Sequence, residues 1–309
     1  MIIPLVSVIV PNYNHARYLE QRLDSVFEQT YQNFEVIILD DCSTDDSMEV
    51  INRYKDNPHL SQIVVNEQNT GSPFKQWDKG IHLAKGDLIW IAESDDYNEL
   101  TFLEELVGEW QKHKNVVLAF SNCVKVDKYD NIISKVKERK NRYFKGENFI
   151  KKRLSRYCAI SSASCTVFSR KAALSVPKTY LTYKNTGDYQ FWIDVTSLGN
   201  VVSVRKNLVY WRQSTSSVTG SYLSKGITAM EDKKVYDKIL EKYTLTSIEK
   251  RLANIYHYEA YVKSHFDNED IRQLVLSCWS IGDHNFISSV GKVLLWMAPR
   301  CENYLGILL

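Results

Sequence analysis

Residues 90–97 read Trp-Ile-Ala-Glu-Ser-Asp-Asp-Tyr, an apolar run that passes directly into the carboxylates of Glu93, Asp95 and Asp96. Like charges this close raise one another's pKa unless a cation neutralises them. Hard oxygen donors of this kind favour Mg²⁺ or Mn²⁺ over zinc, so a divalent cation is expected. A second cluster, Asp40, Asp41, Asp45 and Asp46, also follows an apolar run, residues 34–39. In an open parallel sheet the loops after strand C-termini line one edge and form the ligand crevice, which would let both clusters serve one site. The competing reading is a solvated acidic turn at each strand end, with Asp40 or Asp41 capping a helix.

The elements that must position these acids follow from periodicity. Residues 5–10 are apolar and β-branched, Leu19, Leu23, Val26 and Phe27 recur at helical spacing, and residues 34–39 repeat the strand signal. That is a βαβ unit. A polar helix over 45–54, a strand over 62–65, a helix over 74–84, a strand over 88–92 and a helix faced by Phe102, Leu103, Leu106, Val107 and Trp110 continue the alternation. It predicts a mainly parallel sheet covered on both faces. Beyond a strand at 116–120 the rhythm changes. Short strands are expected at 124–126, 131–134, 166–168, 201–204 and 208–211, with a helix over 189–197 and helices from about 225 onward.

Composition narrows the class. With 309 residues, 44% of them hydrophobic, the chain can bury a sizeable core. A formal charge of +2 argues against a general nucleic-acid binder, so no nucleic-acid partner is expected. Six cysteines show neither a CxxC pair nor zinc spacing. The start of the sequence lacks the pattern of a signal peptide, and no uninterrupted apolar stretch approaches the roughly 20 residues of a spanning helix. A cytoplasmic protein, or one held peripherally on the inner face of the cell membrane, is the expectation. Phe286, Ile287, Val290, Val293, Leu294 and Met297 share one face of a last helix. It could pack on its own domain, lie in a membrane surface with Lys292, Trp296 and Arg300 at the headgroups, or meet a second copy in a homodimer. The basic stretch 135–156 is either a solvated face or a cationic surface for anionic lipid or a lipid-linked diphosphate.

The first strand-to-helix turn, residues 11–17, contains no glycine and so cannot be a GxGxxG dinucleotide turn. Taken together, Pro11-Asn12-Tyr13-Asn14, Asp40-Asp41-Cys42-Ser43-Thr44-Asp45, Asn69-Thr70-Gly71-Ser72, Ala84-Lys85-Gly86-Asp87 and Glu93-Ser94-Asp95-Asp96 resemble, in order and spacing, the family 2 glycosyltransferases over about residues 5–215. The resemblance implies an α/β GT-A fold, Rossmann-like, over residues 1–220, with a nucleotide-sugar half to about 120 and an acceptor half from 121. A helical region would follow over 221–309. It further implies a nucleotide-diphospho-sugar donor, bound around Pro11, Tyr13, Asn14, Asp41, Asn69, Gly71, Asp78, Glu93 and Ser94. Mn²⁺ or Mg²⁺ would sit at Asp95 or Asp96, the choice left open. Pro11 and Tyr13 could supply a flat wall for a uracil, and Asp41 an acceptor for its N3 hydrogen, although turn formation and core packing also explain these residues. Glu93 stands where the motif has Asp, and Ser214 stands where relatives carry histidine after an aromatic-Arg pair, here Trp211-Arg212.

Transfer to a sugar hydroxyl needs a base, and a positioned carboxylate typically contributes about 10²–10⁴-fold. Asp188, in Thr186-Gly187-Asp188-Tyr189, lies where the family's catalytic acid falls, with Gly187 in place of the usual Glu; its bland alternative is an N-cap. One base opposite the leaving group implies inversion. Tyr189, Phe191, Trp192, Tyr210 and Trp211 fall on the acceptor side, where one or two could stack on sugar rings. The reading is a metal-dependent, inverting hexosyltransferase using a UDP-linked donor and a glycan or lipid-linked acceptor in bacterial surface polysaccharide synthesis. The alternatives are a nucleotidyltransferase, for which residues 11–17 offer only Arg17, and a non-catalytic sugar-nucleotide-binding scaffold.

Overall fold

The computed structural model describes residues 3–213 and 218–279. Its first part alternates strictly: β1 (Val6–Asn12), α1 (Ala16–Phe27), β2 (Phe34–Asp40), α2 (Ser47–Asn52), β3 (Leu60–Val65), α3 (Pro73–Leu83) and β4 (Leu88–Ile91). Pairing of β1 with β2, β2 with β3 and β1 with β4 is parallel throughout. Every residue of β1 and β4 is buried, as a strand covered on both faces requires. On α1 the inward stripe is Leu19, Arg22, Leu23 and Val26, an apolar helix face with one guanidinium set into it. Gly80 of α3 lies against Ile9, where a Cβ would come within 2.5 Å of the isoleucine Cγ2, so only glycine lets this helix approach β1 so closely.

The sheet then turns mixed. β5 (Tyr97–Asn98), α4 (Phe102–Trp110), β6 (Val116–Val126), β7 (Ile132–Lys135), β8 (Arg142–Lys145), α5 (Gly146–Phe149), β9 (Thr166–Ser169), α6 (Arg170–Ser175), α7 (Gly187–Thr196) and β10 (Asn200–Arg212) follow. Strand order along the sheet is β3-β2-β1-β4-β9-β6-β10-β5, with β7 on β6 and β8 on β10. β9 inserts antiparallel to both β4 and β6. Where the sequence predicts separate short strands at 116–120 and 124–126, β6 runs unbroken, and β10 likewise joins 201–204 to 208–211. Irregular register around Asn207 absorbs the break that the polar residues suggest.

Contacts divide the chain into two units. One comprises residues 1–146, 160–182 and 194–215; the other joins 147–159 and 183–193 to the helices after residue 216. Those helices are α8 (Val218–Ser224), α9 (Ile227–Lys242), α10 (Ser247–Val262) and α11 (Glu269–Cys278). A capping box starts α10: Thr246 Oγ1 accepts the Glu249 N–H at 3.2 Å, and Glu249 Oε2 accepts the Thr246 N–H at 2.8 Å. The apolar face expected at 286–297 and the Ser214 position both lie outside the described residues.

At the centre of the second unit, His257 stacks on Trp279 with ring centroids 3.9 Å apart, and Tyr236 and Tyr261 flank them. Burial pulls the His257 pKa from 6.5 down to about 4, so the ring is neutral when folded. The unfolded chain takes up a proton below pH 6.5 that the folded chain refuses until about pH 4. This contribution to stability is complete above pH 6.5 and is lost as pH falls toward 4. Urea unfolding of His257→Phe should therefore show about 2 kcal/mol less acid destabilisation between pH 7 and pH 5 than the parent. Equal pH slopes would contradict this burial.

Candidate active site

At the C-terminal ends of β1, β2 and β4 a set of polar side chains ties three loops into one rim. The register that pairs Asn12 with Asp40 brings their side chains together, and Asn12 Nδ2 donates to Asp40 Oδ1 at 2.8 Å. Asp40 also accepts the Ser43 hydroxyl at 2.6 Å and the Ser43 N–H at 2.9 Å, so its carboxylate folds the turn after β2. Asn14 takes a left-handed φ of 54°, a conformation asparagine tolerates, and its side-chain oxygen accepts the Thr44 N–H at 2.7 Å. His15 Nδ1 and Ser94 Oγ, 2.8 Å apart, join the first turn to the acidic segment. Pro11 is buried within β1, while Tyr13 is 44% exposed and available as a flat wall.

Asp41 has its acceptor capacity filled from within. It accepts Asn66 Nδ2 at 2.6 Å, Gln76 Nε2 at 2.8 Å, the Thr70 N–H at 3.0 Å and the Thr70 hydroxyl at 2.8 Å. In this conformation it frames the loop of Asn69 and Gly71, and a nucleobase N3 hydrogen would have to compete for a lone pair already used. Asn69 in turn accepts the Gly71 N–H at 2.5 Å, across a glycine whose φ of +68° suits no other residue as well. Asp78 is committed elsewhere, accepting Lys178 Nζ at 2.8 Å and the Tyr180 hydroxyl at 2.9 Å.

The acidic segment rests on Arg22. This fully buried guanidinium donates Nε to the Glu93 carbonyl at 2.8 Å and Nη1 to Asn98 Oδ1 at 2.6 Å, with its plane near the Trp90 ring. Burial pulls its pKa down to about 10, against the pull of Asp96, Asp95 and Glu93, and it stays charged at neutral pH. Asp96 is 2% exposed and spent on both oxygens: Oδ1 accepts the Arg212 N–H and Oδ2 the Ser162 hydroxyl, each at 2.9 Å. Burial, reinforced by Asp95, raises its pKa to about 6. Glu93 Oε1 accepts Trp77 Nε1 at 2.8 Å. Burial and then the Asp95 charge push the Glu93 carboxyl up to about 8, so it carries a proton at neutral pH. The extra methylene that distinguishes Glu93 thus reaches an indole donor rather than open solvent.

Asp95 is different. Only its main-chain oxygen is engaged, by Arg212 Nη1, and its half-buried carboxylate has no hydrogen-bond or ion-pair partner among the described residues. Of the two ligands that the sequence leaves open, the geometry therefore leaves Asp95 available and Asp96 occupied. No three His, Cys, Asp or Glu side chains converge as a cation cage among the described residues. The donor set nevertheless fits a hard cation that would take one carboxylate from the protein and rely on diphosphate oxygens and waters for the rest, as Mg²⁺ characteristically does. The acids after β2 and those after β4 share a rim, but Asp40 and Asp41 build its loops.

Asp188 belongs to the second unit, in the first turn of α7. Burial, with a contribution from the Glu231 charge, raises its pKa to about 6. The polypeptide just before α7 is gripped by Glu231 of α9, whose carboxylate accepts the N–H groups of Lys184, Asn185 and Thr186 at 2.8, 2.9 and 3.0 Å. Glu231 thus orders the main chain that leads into α7, and the Asp188 side chain accepts the Tyr189 N–H, inside that helix, at 2.7 Å.

Tyr189, Phe191 and Trp192, expected on the acceptor side, are buried in packing, and Tyr210 stacks on Tyr97. Arg22, Ser162, Glu231 and Ser164, whose hydroxyl oxygen accepts the Glu93 N–H at 3.1 Å, are site-building residues that the motifs do not reveal. The sequence did carry a trace of Arg22: a cation inside the apolar stripe of α1, where solvent exposure is excluded.

The family model described as Glycosyl transferase family 2 matches residues 7–174, more than half of the chain. The chain belongs to that family. It is a glycosyltransferase with the GT-A fold. It is 33% identical over 126 residues to Glycosyltransferase GlyG of Streptococcus pneumoniae, covering 41% of each protein. It is 34% identical over 116 residues to the poly(ribitol-phosphate) beta-N-acetylglucosaminyltransferase TarS of Staphylococcus aureus, covering 36% of this chain and 20% of TarS. The alignments therefore span less than half the length of these relatives. Among solved structures, S. aureus TarS 1-349 in complex with UDP-GlcNAc superposes with a TM-score of 0.59 at 20% identity, over 97% of this chain and 79% of that one. The mannosyltransferase PcManGT of Pyrobaculum calidifontis, in complex with GDP-Man and Mn²⁺, superposes at 0.55 and 16% identity, over 97% and 83%.

Replacing Arg22 by methionine removes the cation beneath three acids and strands Asn98 and the Glu93 carbonyl. Denaturant unfolding should show a loss of about 3–5 kcal/mol. A loss under about 1 kcal/mol would mean that the buried guanidinium does not hold the segment.

Proposed function

We propose that this glycosyltransferase moves a single sugar, with inversion, from a UDP-linked donor to a glycan or lipid-linked acceptor in bacterial surface polysaccharide synthesis. The observation that carries this reading is the Asp95 carboxylate, without a hydrogen-bond partner among the described residues, on a rim where Asp40, Asp41, Glu93 and Asp96 are each engaged within the chain. UDP-GlcNAc in the TarS structure and the naming of TarS as a transferase acting on poly(ribitol-phosphate) support the donor and acceptor classes.

In this reading Tyr13 faces the base, the loop of Asn69 and Gly71 borders the nucleoside, and Asp95 would hold Mn²⁺ or Mg²⁺ together with the donor's diphosphate. When bound, the ion would stabilise negative charge on the departing diphosphate. Arg22 and Arg212 keep the segment in place without neutralising Asp95 directly. A protonated Glu93 limits repulsion around it. Asp188, ionised above about pH 6, accepts the acceptor hydroxyl's proton as the new oxygen–C1 bond forms and the bond from C1 to the phosphate oxygen breaks. A raised pKa makes this carboxylate a stronger base than an exposed aspartate while leaving it mostly ionised at pH 7.

Two outcomes follow. Asp188→Asn should lower kcat by about 10²–10⁴-fold while UDP binding by calorimetry is unchanged, and turnover near the parent rate would remove Asp188 as base. The parent's kcat/KM should fall as pH drops through about 6, tracking the Asp188 carboxyl. A profile flat from pH 7 down to pH 5 would contradict that role.

A further inference from the structure

The hairpin that joins β6 to β7 and runs on to β8 takes no part in the rim's chemistry, yet it is built unlike an ordinary surface loop. Tyr129, Ile132, Ile133 and Val136 are 63%, 61%, 57% and 49% exposed, four large apolar side chains within eight positions. All four residues of β7 are exposed, and the register shift opposite Lys125 and Val126 interrupts regular alternation where Ile132 and Ile133 adjoin. Between residues 128 and 140 lie five cations, Lys128, Lys135, Lys137, Arg139 and Lys140, against two carboxylates. Both acids are engaged within the chain: Asp130 pairs with Arg212, and Glu138 accepts the Asn207 N–H at 2.9 Å.

The tip is also held firmly. Asp127 accepts the N–H groups of Tyr129 and Asn131 at 2.8 and 3.0 Å, and Arg17 donates to the Lys128 carbonyl at 3.2 Å. The Asp130–Arg212 pair links this tip to the main-chain oxygen of Asp95. A pinned backbone that presents aliphatic side chains beside lysines matches one chemistry above others. Aliphatic groups enter an interfacial layer while ammonium groups meet lipid phosphates.

We propose that residues 128–140 dock this enzyme on an anionic lipid bilayer, with Ile132 and Ile133 as the inserting pair and Lys135, Lys137 and Lys140 as the electrostatic contacts. The docking extends the reading of a lipid-linked acceptor. It is assayed without donor or acceptor, so either reading can fail alone.

Full-length protein is sedimented with phosphatidylcholine vesicles and with vesicles in which about one-third of the lipid is phosphatidylglycerol. Binding should be confined to the anionic vesicles and weaken steeply with salt. Lys135→Gln/Lys137→Gln/Lys140→Gln should lower the partition coefficient about a hundredfold, and Ile132→Ser/Ile133→Ser at least about tenfold. Both variants should keep the parent's thermal unfolding and its turnover on a soluble acceptor. Absence of parent binding, equal binding to neutral vesicles, or full binding by both variants would each overturn the proposal. So would concentration-dependent dimerisation that the isoleucine variant abolishes, because the exposed strand edge would then be covered by a second copy.

Discussion

Three carboxylates cannot be drawn into a protein interior within four positions unless a cation goes with them, and Arg22 is that cation. Its place on the inward stripe of α1 ties the first helix to the loop after β4, and its hydrogen bonds fix main chain rather than acid side chains. The distinction matters. A guanidinium paired directly with Asp95 would cancel its charge, whereas one bound to the Glu93 carbonyl and Asn98 steadies the segment and leaves that charge in place. Arg212 repeats the arrangement from β10, giving its N–H to Asp96 and a side-chain donor to the Asp95 carbonyl. Together they divide the segment into a neutral acid, an anchored acid and an available one.

The parallel half of the fold was legible because its physics is local. Strands buried on both faces must be apolar runs, helices must show a stripe, and the loops between them must carry the polar residues, so β1 to β4 fall where periodicity puts them. Continuity of β6 and β10 was not legible, since Ser121, Asn122 and Asn207 read as breaks and are tolerated only through pairing with each other's strand. Nor could the antiparallel insertion of β9 be read, because it depends on contacts between residues about 50 and 80 positions apart. The second unit draws on three separated segments, which no composition shift marks.

At the site, the motifs name the acids but not how each is partnered. Asp40, Asp41 and Asp96 carry the same side chain as Asp95, and only the folded chain shows that their oxygens are engaged by hydrogen bonds within it. The same holds for Asp188 and Glu231. A carboxylate before a helix suggests an N-cap, yet Asp188 lies inside the first turn of α7, and the main chain leading into that helix is held by Glu231 from α9. Sequence gives the donor atoms; their availability is a property of the folded network.

Within this acidic segment only Asp95 keeps a carboxylate with no hydrogen-bond partner among the described residues. A crystal structure with UDP and Mn²⁺ tests most directly whether that carboxylate takes a cation. Asp95 oxygen is expected in the coordination sphere, with Asp96 still bonded to the Ser162 hydroxyl and to the Arg212 N–H. An ion held by Asp96, with those two hydrogen bonds broken and Asp95 turned to solvent, would contradict it.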